Sequence, residues 1–336
     1  MRTRPPAIAP GGTLAVLAPS SGYDANLTPR LHAGIDRLGR LFGCAVTLLG
    51  NTAGDSSGCV LPESERVAAL LEAILDDSVT GIFTTWGGLN SSDLLTPLSQ
   101  AGPLPQKVMV GFSDSTALLL GYQALADCVV YHGPAVLTHL GDRSETQAIT
   151  FQHLVDMTAR GVSGPVPFPT ESFAEVCDWR VHMPRALVQR HVSAWRTGTA
   201  RGTSFGGNIS TLNYLLGTPF FQPPDPCVLF LEAVGHDSQV AAVRRSLVHL
   251  RDCGLFDSVS ALVFAAVACA DASQEARLEQ VALEVTGDWD FPILGGVPFG
   301  HIEPSLTIPL GIRVEICSVP GFEQCRFLDP TVELAR

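Results

Sequence analysis

Short apolar runs alternate with amphipathic stretches over the first 160 residues. Residues 13–18 (TLAVLA) form one run, and helical spacing follows over 29–42, where Leu31, Ile35, Leu38 and Leu41 recur at three- and four-residue intervals. The couple then repeats. A strand at 45–49 precedes a helix at 62–76 with Pro62 in its first turn. Strands at 79–85, 108–112 and 128–131 are followed by helices at 92–98, 115–125 and 146–159. Unbroken apolar strands are buried on both faces, and strands separated by helices pair in parallel. The pattern predicts an α/β fold with a Rossmann-like parallel sheet, its ligands bound beyond the carboxyl ends of the strands.

The rhythm breaks over 161–189. GVSGPVPFPTES is rich in Pro, Gly and Ser and reads as a linker, and 180–191 is polar without a period. From 193 the pattern is mixed, with strands at 228–232 and 261–267, helices at 238–251 and 274–285, and a short strand at 292–295. The turn-rich GVPFGHIEPSLTIPLG and a final strand at 312–317 follow. The organisation expected is an N-terminal α/β domain over 1–162, a linker and substrate loop over 163–192, and a smaller α+β domain over 193–336. No internal repeat is visible.

Composition narrows the partners. Of 336 residues, 46% are hydrophobic and 16% charged, the profile of a compact globular chain. A net charge of −12 argues against a nucleic-acid polymer or an anionic membrane surface, both of which need a basic footprint. An acidic chain can still hold a small anion through local arginines. The N-terminus is basic and then apolar, like a signal peptide, but Pro5, Pro6 and Pro10 interrupt it and a first core strand is the better reading. No run reaches the length of a membrane span. The nine cysteines are odd in number and form no CxxC pair; several, such as Cys128 and Cys269, lie in apolar runs. Buried free thiols in a reducing, cytoplasmic setting are expected.

Chemistry concentrates at strand ends. In KVMVGFSDSTA an apolar strand turns sharply into a helix, which places Ser113 at the strand's carboxyl end beside the N–H groups of a helix N-terminus. A nucleophilic serine needs that setting, although a serine there, taken alone, is more often only a helix cap. VLFLEAVGHD puts Glu232 at the end of another strand, where a lone carboxylate is commonly a surface group. His301 lies in a loop between Gly300 and Pro304, and a lone loop histidine is commonly just solvated. In WGGLNSSDLL, Gly87 and Gly88 follow a strand; they allow close backbone approach to a ligand, or simply make a βα turn. No HExxH or paired metal-ligand spacing is present, so neither metal nor cofactor is expected.

Taken in order, WGGLNSSDLL, KVMVGFSDSTAL, YHGPAV, GTSFGGNISTLNYLLGTP, VLFLEAV and GHIEPSLTIPLG make the chain resemble the LD-carboxypeptidases over nearly its whole length. This serine peptidase family includes the microcin-immunity peptidases. The resemblance implies a Ser–Glu–His triad of Ser113, Glu232 and His301, an oxyanion hole from the backbone N–H groups of Gly88 and Asp114, and a homodimer. Ser115 occupies the second glycine position of a GxSxG elbow, which weighs against an α/β-hydrolase. Family members cleave an amide next to a free carboxyl end. The cell-wall branch acts on muropeptides and the microcin branch on aminoacyl-nucleotide conjugates.

Asn90 after GGL, and the long segment 171–202 with Trp179 and Trp195, lean towards the microcin branch. Either tryptophan could stack on a nucleobase or pack between domains. His236 stands four residues after Glu232, where that branch often carries lysine, and a weaker cation there puts phosphate recognition in question. Asn208 could hold the substrate's carboxylate or cap the helix that follows it. The substrate expected is a small peptide or peptidyl-nucleotide. A tailoring amidase or acyl-transfer enzyme on the same triad, and a non-catalytic binder of peptide–nucleotide toxins, are the rival readings.

Overall fold

The computed structural model describes residues 2–54, 61–142, 147–174 and 185–334. Cys59, Cys177 and Trp179 lie outside them. Two sheets organise the chain. The first has six strands in the order Ile308–Leu310, Val130–His132, Val108–Gly111, Val79–Thr84, Thr13–Leu17 and Ala45–Leu48. All neighbours pair in parallel except Ile308–Leu310, which runs antiparallel to Val130–His132. The second has eight strands, ordered Ser193–Arg196, Ile293–Val297, Val259–Ala265, Cys227–Glu232, Gly198–Asn208, Arg313–Ser318, Gln324–Phe327 and Gly164–Pro165. Its four inner strands are parallel, and antiparallel strands complete both sides. The expected α/β architecture with a parallel first sheet is therefore present.

Local chemistry explains the elements. Helix Thr28–Phe42 carries proline in its first turn, buries Leu31, Leu38 and Phe42, and ends at Gly43 in the left-handed region (φ 65°). Helix Thr116–Ala126 is buried nearly all round, from Thr116 through Gln123. A helix without a polar face must be covered on every side. This one lies between the first sheet and the second, where the Thr116 Oγ1 accepts a hydrogen bond from the Asn208 backbone N–H at 2.9 Å.

Three segments depart from the sequence expectation. Gly198–Asn208, unassigned above, is a strand of 11 residues at the heart of the second sheet. Its glycines lower strand propensity, yet a Cβ on Gly206 would sit 2.0 Å from the Phe230 carbonyl oxygen and one on Gly207 within 2.5 Å of Thr116 Oγ1, so close packing demands them. Ile308–Leu310, read as part of a turn-rich loop, is an edge strand of the first sheet; the edge tolerates Pro309, which has no N–H to donate. Within the supposed linker, Glu171–Phe173 pairs antiparallel with Leu187–Gln189. The described cysteines are unpaired, and Cys128, Cys227 and Cys325 are buried; Cys269 is instead exposed, because its strand stops at Ala265. Among the described residues no helix is long and apolar enough to cross a membrane.

Candidate active site

The strand Val108–Gly111 ends in an extended Phe112, and Ser113 then takes a left-handed backbone (φ 59°) before the helix begins. A non-glycine residue there stores about 1–3 kcal/mol and persists only where its surroundings enforce it. The neighbouring loop supplies that enforcement. A Cβ on Gly87 would lie 2.6 Å from Ser113 Cβ and 2.8 Å from its Oγ, so only glycine admits the loop this close. The Asp114 carboxylate turns away from Ser113 and accepts the Ser91 backbone N–H at 2.9 Å, capping the short turn Ser91–Leu94. Arg66, buried on helix Glu63–Leu75, donates to the carbonyl oxygens of Pro19 and Asn90 at 2.8 Å each and pairs with Asp93 at 3.0 Å. Ser21 completes the clamp: its Oγ accepts the Leu89 N–H and its carbonyl accepts the Trp86 indole N–H, each at 3.0 Å.

Glu232 and Asn208 are register partners at the carboxyl ends of parallel strands. Asn208 Nδ2 donates to Glu232 Oε1 at 3.0 Å, and its Oδ1 accepts the Thr211 N–H at 3.1 Å and the Ser210 hydroxyl at 2.8 Å. Both ends of the buried amide are thus used within the protein. Asn208 thus caps the helix that follows it and also bonds Glu232.

Glu232 Oε2 lies 2.7 Å from His301 Nδ1. Burial alone would raise this carboxyl, but the adjoining His301 and then His132 outweigh burial and hold it below the ordinary carboxylate range. An ionised Glu232 accepts from Nδ1–H, which turns Nε2 of His301 away from the carboxylate. Gly300 (φ 76°) is required beside it, since a Cβ would fall 2.8 Å from Glu232 Cγ.

His301 packs on Phe112 with ring centroids 4.7 Å apart, and Phe112 meets His139 edge-on at 5.1 Å. Burial, then the neighbouring His301, pushes His139 down to about 3, so it stays neutral. Its Nδ1 accepts the Ala135 N–H at 3.2 Å and lies 2.9 Å from the Thr138 hydroxyl. Ser113 and His301 line one small cleft of about 170 Å³ with Trp86, Gly87, Gly88 and Phe112. A hydroxyl, an imidazole and a carboxylate from three distant segments therefore meet in one place.

The remaining candidates are dispersed. Asn90 is half-buried with a left-handed backbone (φ 76°), and its carbonyl is held by Arg66. His236 is exposed on the turn Gly235–Ser238 and does not line the Ser113 cleft. Trp195 packs against Phe264 at 5.6 Å and lines a separate cavity of about 670 Å³ whose lining includes none of Ser113, Glu232 and His301. Sequence reading missed Ser21, Arg66, His132 and His139. Arg66 carried no signal, being one arginine on an amphipathic helix. His132 stood inside the quoted YHGPAV without a role.

Residues 14–133 match the LD-carboxypeptidase N-terminal domain, and residues 201–316 match the LD-carboxypeptidase C-terminal domain. The chain is 28% identical to the microcin C7 self-immunity protein MccF of Escherichia coli, over 92% of this chain and 91% of that one. It is 30% identical to a putative carboxypeptidase of Vibrio cholerae, over 74% of this chain and 75% of the other. A solved structure of MccF in complex with aspartyl sulfamoyl adenosine superposes with a TM-score of 0.87 at 24% identity, covering 98% of this chain and 99% of that one. With both domains matched in order and the fold shared end to end, the chain belongs to the LD-carboxypeptidase family, a family of peptidase-type hydrolases.

Proposed function

We propose that this chain is a serine carboxypeptidase-type hydrolase that cleaves an amide beside a free-carboxyl or aminoacyl-nucleotide-like end through an acyl-enzyme on Ser113. The observation that carries the reading is the Glu232–His301 bond of 2.7 Å, with His301 and a left-handed Ser113 on the same cleft. His301 Nε2 takes the Ser113 Oγ proton as the oxygen attacks the amide carbonyl. Glu232 holds Nδ1–H and stabilises the imidazolium. The backbone N–H groups of Gly88 and Asp114 receive the oxyanion, each donor worth about 10²–10³ in rate. His301 then protonates the leaving amine, and water repeats the sequence on the ester.

Between the two substrate branches, the likeness to MccF, which has been solved with aspartyl sulfamoyl adenosine, supports an aminoacyl-nucleotide amide. Asn90 beside the Gly88 lip is consistent with it. His236 supplies a weaker cation than lysine, so contacts to a phosphate-like group would be looser. The protein should work as a homodimer, which sedimentation tests. The deciding assay offers wild type and Ser113→Ala an acylated aspartyl sulfamoyl adenosine and an L,D-tetrapeptide muropeptide side by side. Wild type should hydrolyse the first faster. Ser113→Ala should lose turnover with an unchanged fold. Retained turnover in that variant removes Ser113 from the mechanism, and preference for the muropeptide moves the chain to the cell-wall branch.

A further inference from the structure

The buried histidine at position 132 has no place in the triad. It ends the strand Val130–His132, in register with Gly111 of the strand that leads to Ser113. Its side chain is 1% exposed, and its ring stands edge-on to Phe299, centroids 5.8 Å apart; Phe299 is edge-on to Phe230 at the same distance. Neither ring nitrogen has a hydrogen-bond partner of ordinary length. A phenylalanine or leucine would fill this aromatic cage without burying an unsatisfied polar group, so the imidazole needs a reason.

The group it faces is Glu232: His132 Nε2 lies 3.7 Å from Oε1. At that distance the contact acts through charge and dipole, not as a hydrogen bond of normal length. Oε1 also takes Asn208 Nδ2, and Oε2 takes His301 Nδ1. A carboxylate has room for a third donor. Asn208 and Glu232 share the second sheet, whereas His132 belongs to the first. The carboxylate is thus bracketed from both halves of the molecule.

We propose that His132 is a positioning residue, a second histidine on Glu232 that fixes the carboxylate from the opposite sheet and favours its ionised form. The proposal rests on the Ser113–His301–Glu232 reading. A positive edge facing Glu232 opposes uptake of a proton by the Glu232–His301 pair, so removing it raises the pH at which that pair titrates. The other charged groups around the pair are His139, beyond Phe112, Glu303 and Asp142 with Arg185 and Arg30 on the His301 loop side, and Asp237, linked through Ser210 to Asn208, and none of these is altered by the substitution.

The test follows the His301 imidazole by NMR in protein labelled with ¹⁵N-histidine, and in parallel measures kcat, KM and fluorophosphonate labelling of Ser113. His132→Phe and His132→Leu should raise the His301 titration and the acid limb of kcat/KM by about half to one pH unit. They should lower kcat about tenfold with KM unchanged, because a carboxylate no longer fixed from the opposite sheet orients His301 less well. His132→Gln, whose amide can reach Oε1, should restore both. If the two apolar variants fail to fold, His132→Asn, too short to reach, carries the comparison against His132→Gln. An unmoved His301 titration with kcat within about twofold of wild type overturns the proposal. A moved titration in a protein whose Ser113 never labels leaves the positioning role intact and defeats the serine reading instead.

Discussion

Gly87→Ala isolates the geometry of the nucleophile from its chemistry. Gly87 has no left-handed φ, so its backbone accepts alanine. The obstacle is space. The new Cβ would stand 2.6 Å from Ser113 Cβ and 2.8 Å from Oγ, whereas carbon atoms rest about 3.5–4.0 Å apart. About 1 Å must be found. The loop cannot easily supply it, because Ser21 holds Trp86 and Leu89, Asp114 holds Ser91, and Arg66 holds Asn90. Ser113, already in a left-handed backbone, therefore takes much of the displacement. Overpacking of this size costs about 1–3 kcal/mol, which lowers the melting temperature by a few degrees without unfolding the chain. A nucleophile misplaced by about 1 Å loses about 10²-fold in rate. The assay is kcat/KM on the substrate that wild type hydrolyses, with fluorophosphonate labelling of Ser113 and thermal unfolding alongside. A variant within about threefold of wild type in both rates would show that the 86–91 loop does not set the position of Ser113.

Two further substitutions test the electrostatics. In Glu232→Gln the Asn208 amide keeps the new side chain's oxygen at the Oε1 position, so the glutamine NH₂ faces His301 Nδ1 and forces the proton onto Nε2. That tautomer cannot accept the serine proton, and kcat should fall about 10³–10⁴-fold with the fold retained; a loss under about tenfold would show that Glu232 does not set the tautomer. Glu303 is pushed up to about 7, chiefly by burial and against the pull of Arg185, from an ordinary 4.5. Between those values the folded chain keeps a proton that the unfolded chain has released, so this group's contribution to stability is full below about 4.5 and is lost as the pH rises to about 7. Melting temperatures from about pH 5 to about pH 8 should therefore decline more steeply in wild type than in Glu303→Gln, and parallel curves would refute the assignment.

The βαβ rhythm of the first half was legible because buried strands and amphipathic helices differ in period, and most boundaries fell within one or two residues. The second sheet was less so. Gly198–Asn208 carries four glycines, which disfavour strands, and the reason for Gly206 and Gly207 lies in Phe230 and Thr116, remote in sequence. Ser113 was visible as a strand-to-helix turn, whereas Glu232 and His301 looked ordinary until motifs were taken in order. Asn208 divided evenly between two roles because an amide at a helix start fits both; only its pairing with Glu232 shows where each end points.

By itself the amino-acid order determined the local periods, the turn after Val108–Gly111 and the set of segments that carry chemistry. Tertiary structure alone decided that Ile308–Leu310 completes the first sheet, that Arg66 and Ser21 hold the 86–91 loop against Ser113, and that His132 reaches Glu232 across the two sheets. Those contacts join residues tens to hundreds of positions apart. A hydrogen bond or close packing between them depends on three-dimensional position, which no local pattern of polarity encodes.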